Sequence, residues 1–210
     1  MDAVSDSPGA LRGLLVDFGG VLTTDVFVAF EAFCRAESID PQTVRDHFRS
    51  DPEARQLLFD LECGRLSVAE FEPPFAAIIG VGPEGLVERL FGGAGPDEAM
   101  LGAVRAAKAA GVRTGLISNS WGHERYDRSD FPTLFDGVVI SGEVGIRKPD
   151  PQIYELGAES IGLEPAACVF VDDLPGNLKP ARQLGMTTVH HRSAAETMPE
   201  LERLLGVVLR

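Results

Sequence analysis

Apolar residues recur along this chain in two rhythms. Leu14-Leu15-Val16 is a short apolar run without alternation, stopped at Asp17 and followed by Phe18 and the pair Gly19-Gly20. A run of this kind, bounded by a turn signal, predicts a buried strand of a parallel sheet. Val112 to Ile117, Val138 to Ile140, Cys168 to Val171 and Thr187 to His190 predict further strands. After the first strand the rhythm turns helical. Phe27, Phe30 and Phe33-Cys34 share one face; Pro41 opens a second helix with Val44 and Phe48; Pro52 opens a third through Leu57, Leu58 and Leu61, stopped near Gly64. Ser67 and Glu70 form a capping box ahead of Phe71, and Pro83 opens a helix through Leu86, Val87 and Leu90. The cluster Gly92-Gly93-Ala94-Gly95-Pro96 closes the block.

Strand and helix then alternate. Residues 97–110 predict a helix ended by Gly111, Asp150-Pro151 caps and opens one through Ile153, Leu156 and Ile161, and residues 176–184 predict another ended by Gly185. Ser193 and Glu196 cap the last helix, and the polar residues 123–130 read as a short helix or loop. This alternation predicts an α/β fold: a Rossmann-like doubly wound parallel sheet with an all-helical cap inserted after the first strand. Residues 11–23 and 96–210 form the expected core domain, residues 24–95 the cap, and residues 1–10 a disordered tail.

Composition narrows the partners. The 210 residues are 44% hydrophobic, and a mean hydropathy of +0.04 fits a soluble globular protein able to bury a core without staples. A net charge of −13 argues against nucleic acid or an anionic membrane as partner. It leaves room for a small phosphorylated substrate, which needs only a local positive field. Cys34, Cys63 and Cys168 show no metal-binding spacing and read as reduced thiols of a cytoplasmic protein. The first residues lack a signal-peptide pattern, and no apolar run reaches the length of a membrane span.

In a parallel sheet the carboxyl ends of all strands open on one edge, where open α/β folds bind ligands. That edge gathers Asp17, Ser118-Asn119, Lys148 shortly after the third strand, and Asp172-Asp173 with Asn177 close behind. Clustered carboxylates repel one another and call for a cation. Lys148 is one candidate. A hard divalent ion is the other, and Mg²⁺ suits carboxylate, carbonyl and water ligands. Such a site suits phosphoryl transfer. Asp17 can attack phosphorus, Mg²⁺ and Lys148 can offset charge on the equatorial oxygens, and Ser118 and Asn119 can donate hydrogen bonds to them.

The segments Val16-Asp17-Phe18-Gly19-Gly20-Val21, Ile117-Ser118-Asn119-Ser120-Trp121, Lys148-Pro149-Asp150-Pro151-Gln152-Ile153-Tyr154 and Val171-Asp172-Asp173, with Asn177-Leu178-Lys179-Pro180-Ala181-Arg182, stand in the order and spacing of one known superfamily. Across residues 12–208 the chain resembles the phosphatase branch of the haloacid dehalogenase superfamily. The resemblance implies Asp17 as nucleophile and metal ligand, the carbonyl of Gly19 as a second ligand and Asp173 as a direct ligand. Asp172 would act through a bound water or Lys148. The substrate phosphate would sit on Gly20, Ser118, Asn119 and Lys148. The first strand would lie mid-sheet between the second and fourth, beneath a mobile helical cap.

The departure is Gly19. Phosphatases of this superfamily usually place there a second Asp, which protonates the leaving alcohol and later activates water. Gly still offers a carbonyl to the metal but no proton, and a general acid is typically worth about 10²–10⁴ in rate. Two functions follow: a Mg²⁺-dependent phosphatase acting on a small phosphomonoester, or a catalytically impaired member that binds a phosphorylated ligand or a protein partner. The Asp172-Asp173 pair argues against a third, a metal-independent dehalogenase. Asp25 reads as a helix N-cap ahead of a substitute acid, and His123 as a solvated loop residue ahead of a site group. His190-His191 reads as strand edge, and Asn177 as a residue holding its loop. Arg125, Arg128 and Arg147 read as solvated surface ahead of substrate-anion contacts, and the Phe residues of the insertion as cap core ahead of a lipid pocket. Trp121 belongs either to the cleft or to the core.

Overall fold

The first strand, β1 (Gly13–Val16), lies in the middle of a five-stranded sheet, and both of its faces are covered. Leu14 and Val16 point into one apolar layer and Leu15 into the other, so the strand reads as a continuous apolar run. The structure, a computed structural model, describes residues 11–122 and 126–210. With β2 (Arg113–Ser118), β3 (Gly137–Ile140), β4 (Cys168–Asp172) and β5 (Thr187–His190), the strand order is β3-β2-β1-β4-β5 and every pairing is parallel. β1 thus sits between β2 and β4, in agreement with the sequence reading.

Between β1 and α6 (Glu98–Ala109) the chain forms five helices: α1 (Val26–Ala36), α2 (Thr43–Ser50), α3 (Pro52–Glu62), α4 (Val68–Ile79) and α5 (Leu86–Leu90). Side chains fix where they start. Asp25 Oδ1 accepts from the Phe27 N–H at 2.7 Å, Asp51 Oδ1 accepts from Glu53 and Ala54, and Ser67 and Glu70 make the full reciprocal capping box. α2 starts at Thr43, two residues beyond Pro41, because Asp40 accepts from the Gln42 and Thr43 N–H groups and forms a turn first. Similarly, α5 starts at Leu86, after the turn at Pro83 to Gly85. The five helices share an apolar cluster built on Phe30, Phe33, Phe71, Phe75, Leu86 and Leu90.

The insertion leaves and re-enters at one place. The Thr24 N–H donates to the Gly95 carbonyl at 2.8 Å and the Asp97 N–H to the Leu22 carbonyl at 2.9 Å. One face of the sheet is covered by α6 and α11 (Ala194–Leu205), through Met100, Val104 and Leu201. The other is covered by α9 (Pro151–Ser160) and α10 (Pro175–Gln183), through Ile153, Tyr154 and Leu178. The short α7 (Phe131–Leu134) and α8 (Ser141–Val144) flank β3. Cys34, Cys63 and Cys168 are free and buried. Among the described residues no helix is long and apolar enough to cross a membrane.

Candidate active site

Asp17 follows β1 directly, and its carboxylate meets the Lys148 ammonium, with 2.7 Å between Nζ and Oδ1. The same Nζ lies 2.7 Å from Asp172 Oδ2. Lys148 is 1% exposed and Asp172 fully buried, so this is a buried bridge and not a surface ion pair. The Phe18 N–H also donates to Asp17 Oδ1, at 2.6 Å. Asp172 is held from its other side: Asn177 Nδ2 donates to both of its oxygens, and the Leu174 N–H donates to Oδ1 at 2.8 Å. Asn177 therefore orients a carboxylate, where the sequence reading had it holding its loop.

Asp173 completes the cluster. Carboxylate oxygens of Asp17, Asp172 and Asp173 lie within 4.8 Å of one another. Gly20 makes this approach feasible: its φ is +73°, and a Cβ there would stand 2.6 Å from Asp173 Oδ2. The Gly20 N–H donates to Thr23 Oγ1 at 3.0 Å, within the turn itself. Burial pushes the Asp17 carboxyl up to about 8 against the pull of Lys148, with Asp172 and Asp173 adding to the rise. Burial and Asp172 push Asp173 up to about 7. Burial opposes the charge on Lys148, yet Asp17 and Asp172 hold it above the ordinary lysine value. With all three carboxyls ionised, a single ammonium would leave an excess of negative charge. The oxygen donor set and that excess fit a hard divalent cation such as Mg²⁺.

Ser118 ends β2, and its Oγ lies 2.8 Å from the Tyr126 hydroxyl. Asn119 grips the Lys148 backbone: its Oδ1 accepts from the Lys148 N–H at 2.8 Å and its Nδ2 donates to the Lys148 carbonyl at 3.1 Å. Tyr126 and Glu62 escaped the sequence reading. Burial lifts the Tyr126 phenol to about 12, so it stays neutral as it packs at a tilt against Phe18, ring centroids 5.0 Å apart. Glu62 ends α3, and an acid beside Leu61 and Cys63 in an apolar helix stripe was the one signal available for it.

Arg147 corrects an expectation. It is no solvated arginine, because its Nη1 lies 2.6 Å from Glu62 Oε2, a carboxylate that is nearly buried. Arg128 fits the surface reading and pairs with Glu143. Asp25 caps α1. The His190 ring contacts the Asp173 carbonyl at 3.0 Å, whereas His191 is buried against Thr197, 2.9 Å away, and burial lowers its pKa. The readings of His123, Arg125 and the tail at residues 1–10 lie outside the described residues.

A cavity of about 690 Å³ rises from Asp17, Asn119, Lys148 and Asp173 into the insertion, where Phe27, Phe30, Phe48, Phe91 and Trp121 line it. Phe71 and Phe75 are core, as expected, whereas Phe30, Phe48 and Phe91 serve core and cavity at once. Trp121 does both as well: it packs on Phe91 at 4.9 Å and Phe48 at 5.7 Å between ring centroids and walls the cavity.

Residues 11–185 match the haloacid dehalogenase-like hydrolase family. Bifunctional epoxide hydrolase 2 of Sus scrofa is 38% identical over 117 residues, 52% of this chain and 21% of that protein. The match therefore spans about a fifth of that relative's length. The sesquiterpene phosphatase astK of Aspergillus oryzae is 32% identical over 114 residues, 53% of this chain and 58% of that protein. In fold, the chain is similar to the HAD family enzyme bt-2542 of Bacteroides thetaiotaomicron, solved in complex with magnesium and inorganic phosphate. The TM-score is 0.67 at 23% identity, over 87% of this chain and 95% of that one.

Proposed function

The chain belongs to the haloacid dehalogenase-like hydrolases, and we propose that it is a Mg²⁺-dependent phosphatase, cleaving a phosphomonoester with an apolar body through an aspartyl-phosphate on Asp17. The observation that carries this reading is the Lys148 bridge between Asp17 and Asp172, 2.7 Å to each, at the floor of an aromatic cavity. The residues that would hold Mg²⁺ are Asp17, Asp172 and Asp173, with the Gly19 carbonyl. The ion would supply positive charge against the phosphoryl oxygens.

Lys148 holds Asp17 in place and pulls against the burial that raises its carboxyl; a bound Mg²⁺ would add to that pull. An Asp17 oxygen attacks phosphorus, the bond from phosphorus to the ester oxygen breaks, and that oxygen leaves with the electron pair. Ser118, the backbone N–H of Asn119 and Lys148 donate to the phosphoryl oxygens as charge develops. Water then attacks the phosphorus and gives up a proton to solvent, the bond to Asp17 breaks with its electron pair returning to the carboxylate, and inorganic phosphate is released; the departed alkoxide takes its proton from solvent. Gly19 supplies no proton to the leaving oxygen, so this chain favours esters whose alcohol leaves readily. The aromatic lining supports an apolar alcohol, and the relative named as a sesquiterpene phosphatase is in keeping with it. We read the protein as cytoplasmic, in keeping with its free cysteines.

The test is hydrolysis of an aryl phosphate, short alkyl phosphates and isoprenyl phosphates, with Mg²⁺ and with chelator, against Asp17→Asn. Mg²⁺-dependent turnover lost in Asp17→Asn supports the phosphatase. Gly19 favours one second reading, a catalytically impaired protein that binds a phosphorylated ligand. Mg²⁺ and phosphate binding with no turnover on any ester would select it.

A further inference from the structure

On the phosphatase reading, the insertion must act on the reaction from outside the sheet. We propose that Glu62 is a positioning residue: through it the helical insertion holds the phosphate-binding edge, acting on Asn119 and Arg147 and not on the reacting atoms. Glu62 Oε2 accepts from Asn119 Nδ2 at 3.3 Å and lies 2.6 Å from Arg147 Nη1. Both partners converge on the backbone of Lys148. Asn119 bonds its N–H and its carbonyl, and Arg147 Nε donates to the same carbonyl at 3.1 Å. One side chain of the insertion thus restrains the two groups that fix the site lysine.

The main chain around Glu62 docks on the same edge. Ser141 Oγ donates to the Glu62 carbonyl and accepts from the Ser120 N–H, the residue after Asn119. Gly64 approaches Gly142 so closely that a Cβ would lie 2.3 Å from its carbonyl oxygen. The carboxylate has no local reason to be there. It ends a helix, where the macrodipole is negative, and it is 5% exposed. Burial pushes its carboxyl up to about 7, against Arg147, Lys148 and the Asn119 hydrogen bond.

The arrangement has a distinctive kinetic signature. Glu62, Arg147, Asn119, Lys148 and Asp17 all line one cavity. Glu62→Gln keeps the shape but leaves the Arg147 charge uncompensated. Inorganic phosphate should then bind about three- to tenfold more tightly, while kcat falls about tenfold because Asn119 and Arg147 are less well held. Arg147→Gln should shift phosphate affinity the other way and also lower kcat. A purely structural role would lower the active fraction and leave both constants of the remaining enzyme alone.

The experiment titrates inorganic phosphate by calorimetry with Mg²⁺ present and measures kcat and KM on an aryl and an alkyl phosphate, for wild type and both variants. Opposite shifts in phosphate affinity with reduced kcat in both support the proposal. Unchanged affinity and kcat in folded variants overturn it, and so does failure of both variants to fold. A loss in Glu62→Gln confined to the alkyl phosphate overturns it too, by making Glu62 a proton donor. If the wild type neither binds phosphate nor turns over, the phosphatase reading itself fails. If it does both and the variants match it, only the role of Glu62 fails.

Discussion

Val26 Cγ2 lies 3.2 Å from where a Cβ on Gly19 would stand. The first residue of α1 thus fills the space in which a side chain at position 19 would begin. The Gly19 backbone is outside the left-handed region, and a Cβ there meets only this one atom within 4 Å. Gly19→Asp is therefore expected to fold, and to raise turnover of alkyl phosphates by about 10² if it supplies the missing acid. Gly19→Asp with Val26→Ala should exceed it. Equal rates for wild type and both variants on alkyl phosphates, with intact thermal melts, would refute the missing-acid account.

Lys148 compensates two buried carboxylates at once. Lys148→Met keeps much of the volume and removes the charge. It should abolish turnover and destabilise the Mg²⁺-free protein by about 3–5 kcal/mol at neutral pH, the usual cost of leaving buried charge unpaired. Urea unfolding with and without Mg²⁺ checks this; the ion should recover part of the loss.

Glu62 sets a pH dependence of stability. Its carboxyl rises from 4.5 to about 7 on folding. Between those values the native state keeps a proton that the unfolded chain has lost, so this contribution is present below about pH 4.5 and is lost as pH rises towards 7. His191 acts in the opposite sense: its lowered pKa costs stability as pH falls below the ordinary histidine value. Comparing wild type with Glu62→Gln cancels His191. Between pH 5 and pH 8 wild type should lose more unfolding free energy than Glu62→Gln, and parallel profiles would contradict the assignment.

Trp121 offers a handle on substrate choice. It walls the cavity while packing on Phe48 and Phe91. Trp121→Ala should lower kcat/KM for a long-chain phosphate about tenfold relative to a short one, from lost apolar contact. It should destabilise the fold by at most about 3 kcal/mol, because the indole is only partly buried. A long-to-short ratio equal to that of wild type would argue that the chain does not enter this cavity.

Much of this was legible in the sequence because the signals are local. Leu14 to Val16 stops at Asp17, and Cys168 to Val171 runs into Asp172, so strand ends and their carboxylates could be read from neighbouring residues. Pro52, Ser67 and Asp150 announced their helices for the same reason. Glu62 and Arg147 were not legible, because their meaning arises only where α3 docks against the loop before Lys148. Tyr126 was hidden likewise: its hydroxyl reaches Ser118 from a loop whose path no pattern dictates. The starts of α2 and α5 shifted because turns at Asp40 and Pro83 took the first backbone donors.

The paired backbones at Leu22 to Thr24 and Gly95 to Asp97 carry a last consequence. The five helices hang from a stem whose two strands already touch, so the sheet's topology is the same with or without them. Such a segment is exchangeable. On the phosphatase reading, grafting another helical module between Thr23 and Pro96 is expected to change which alcohols reach Asp17 while leaving the phosphate site on the scaffold, except for what Glu62 and Val26 contribute. The helices and the sheet thus meet twice, covalently at Thr23 and Pro96 and without a covalent link where Glu62 docks on Asn119 and Arg147.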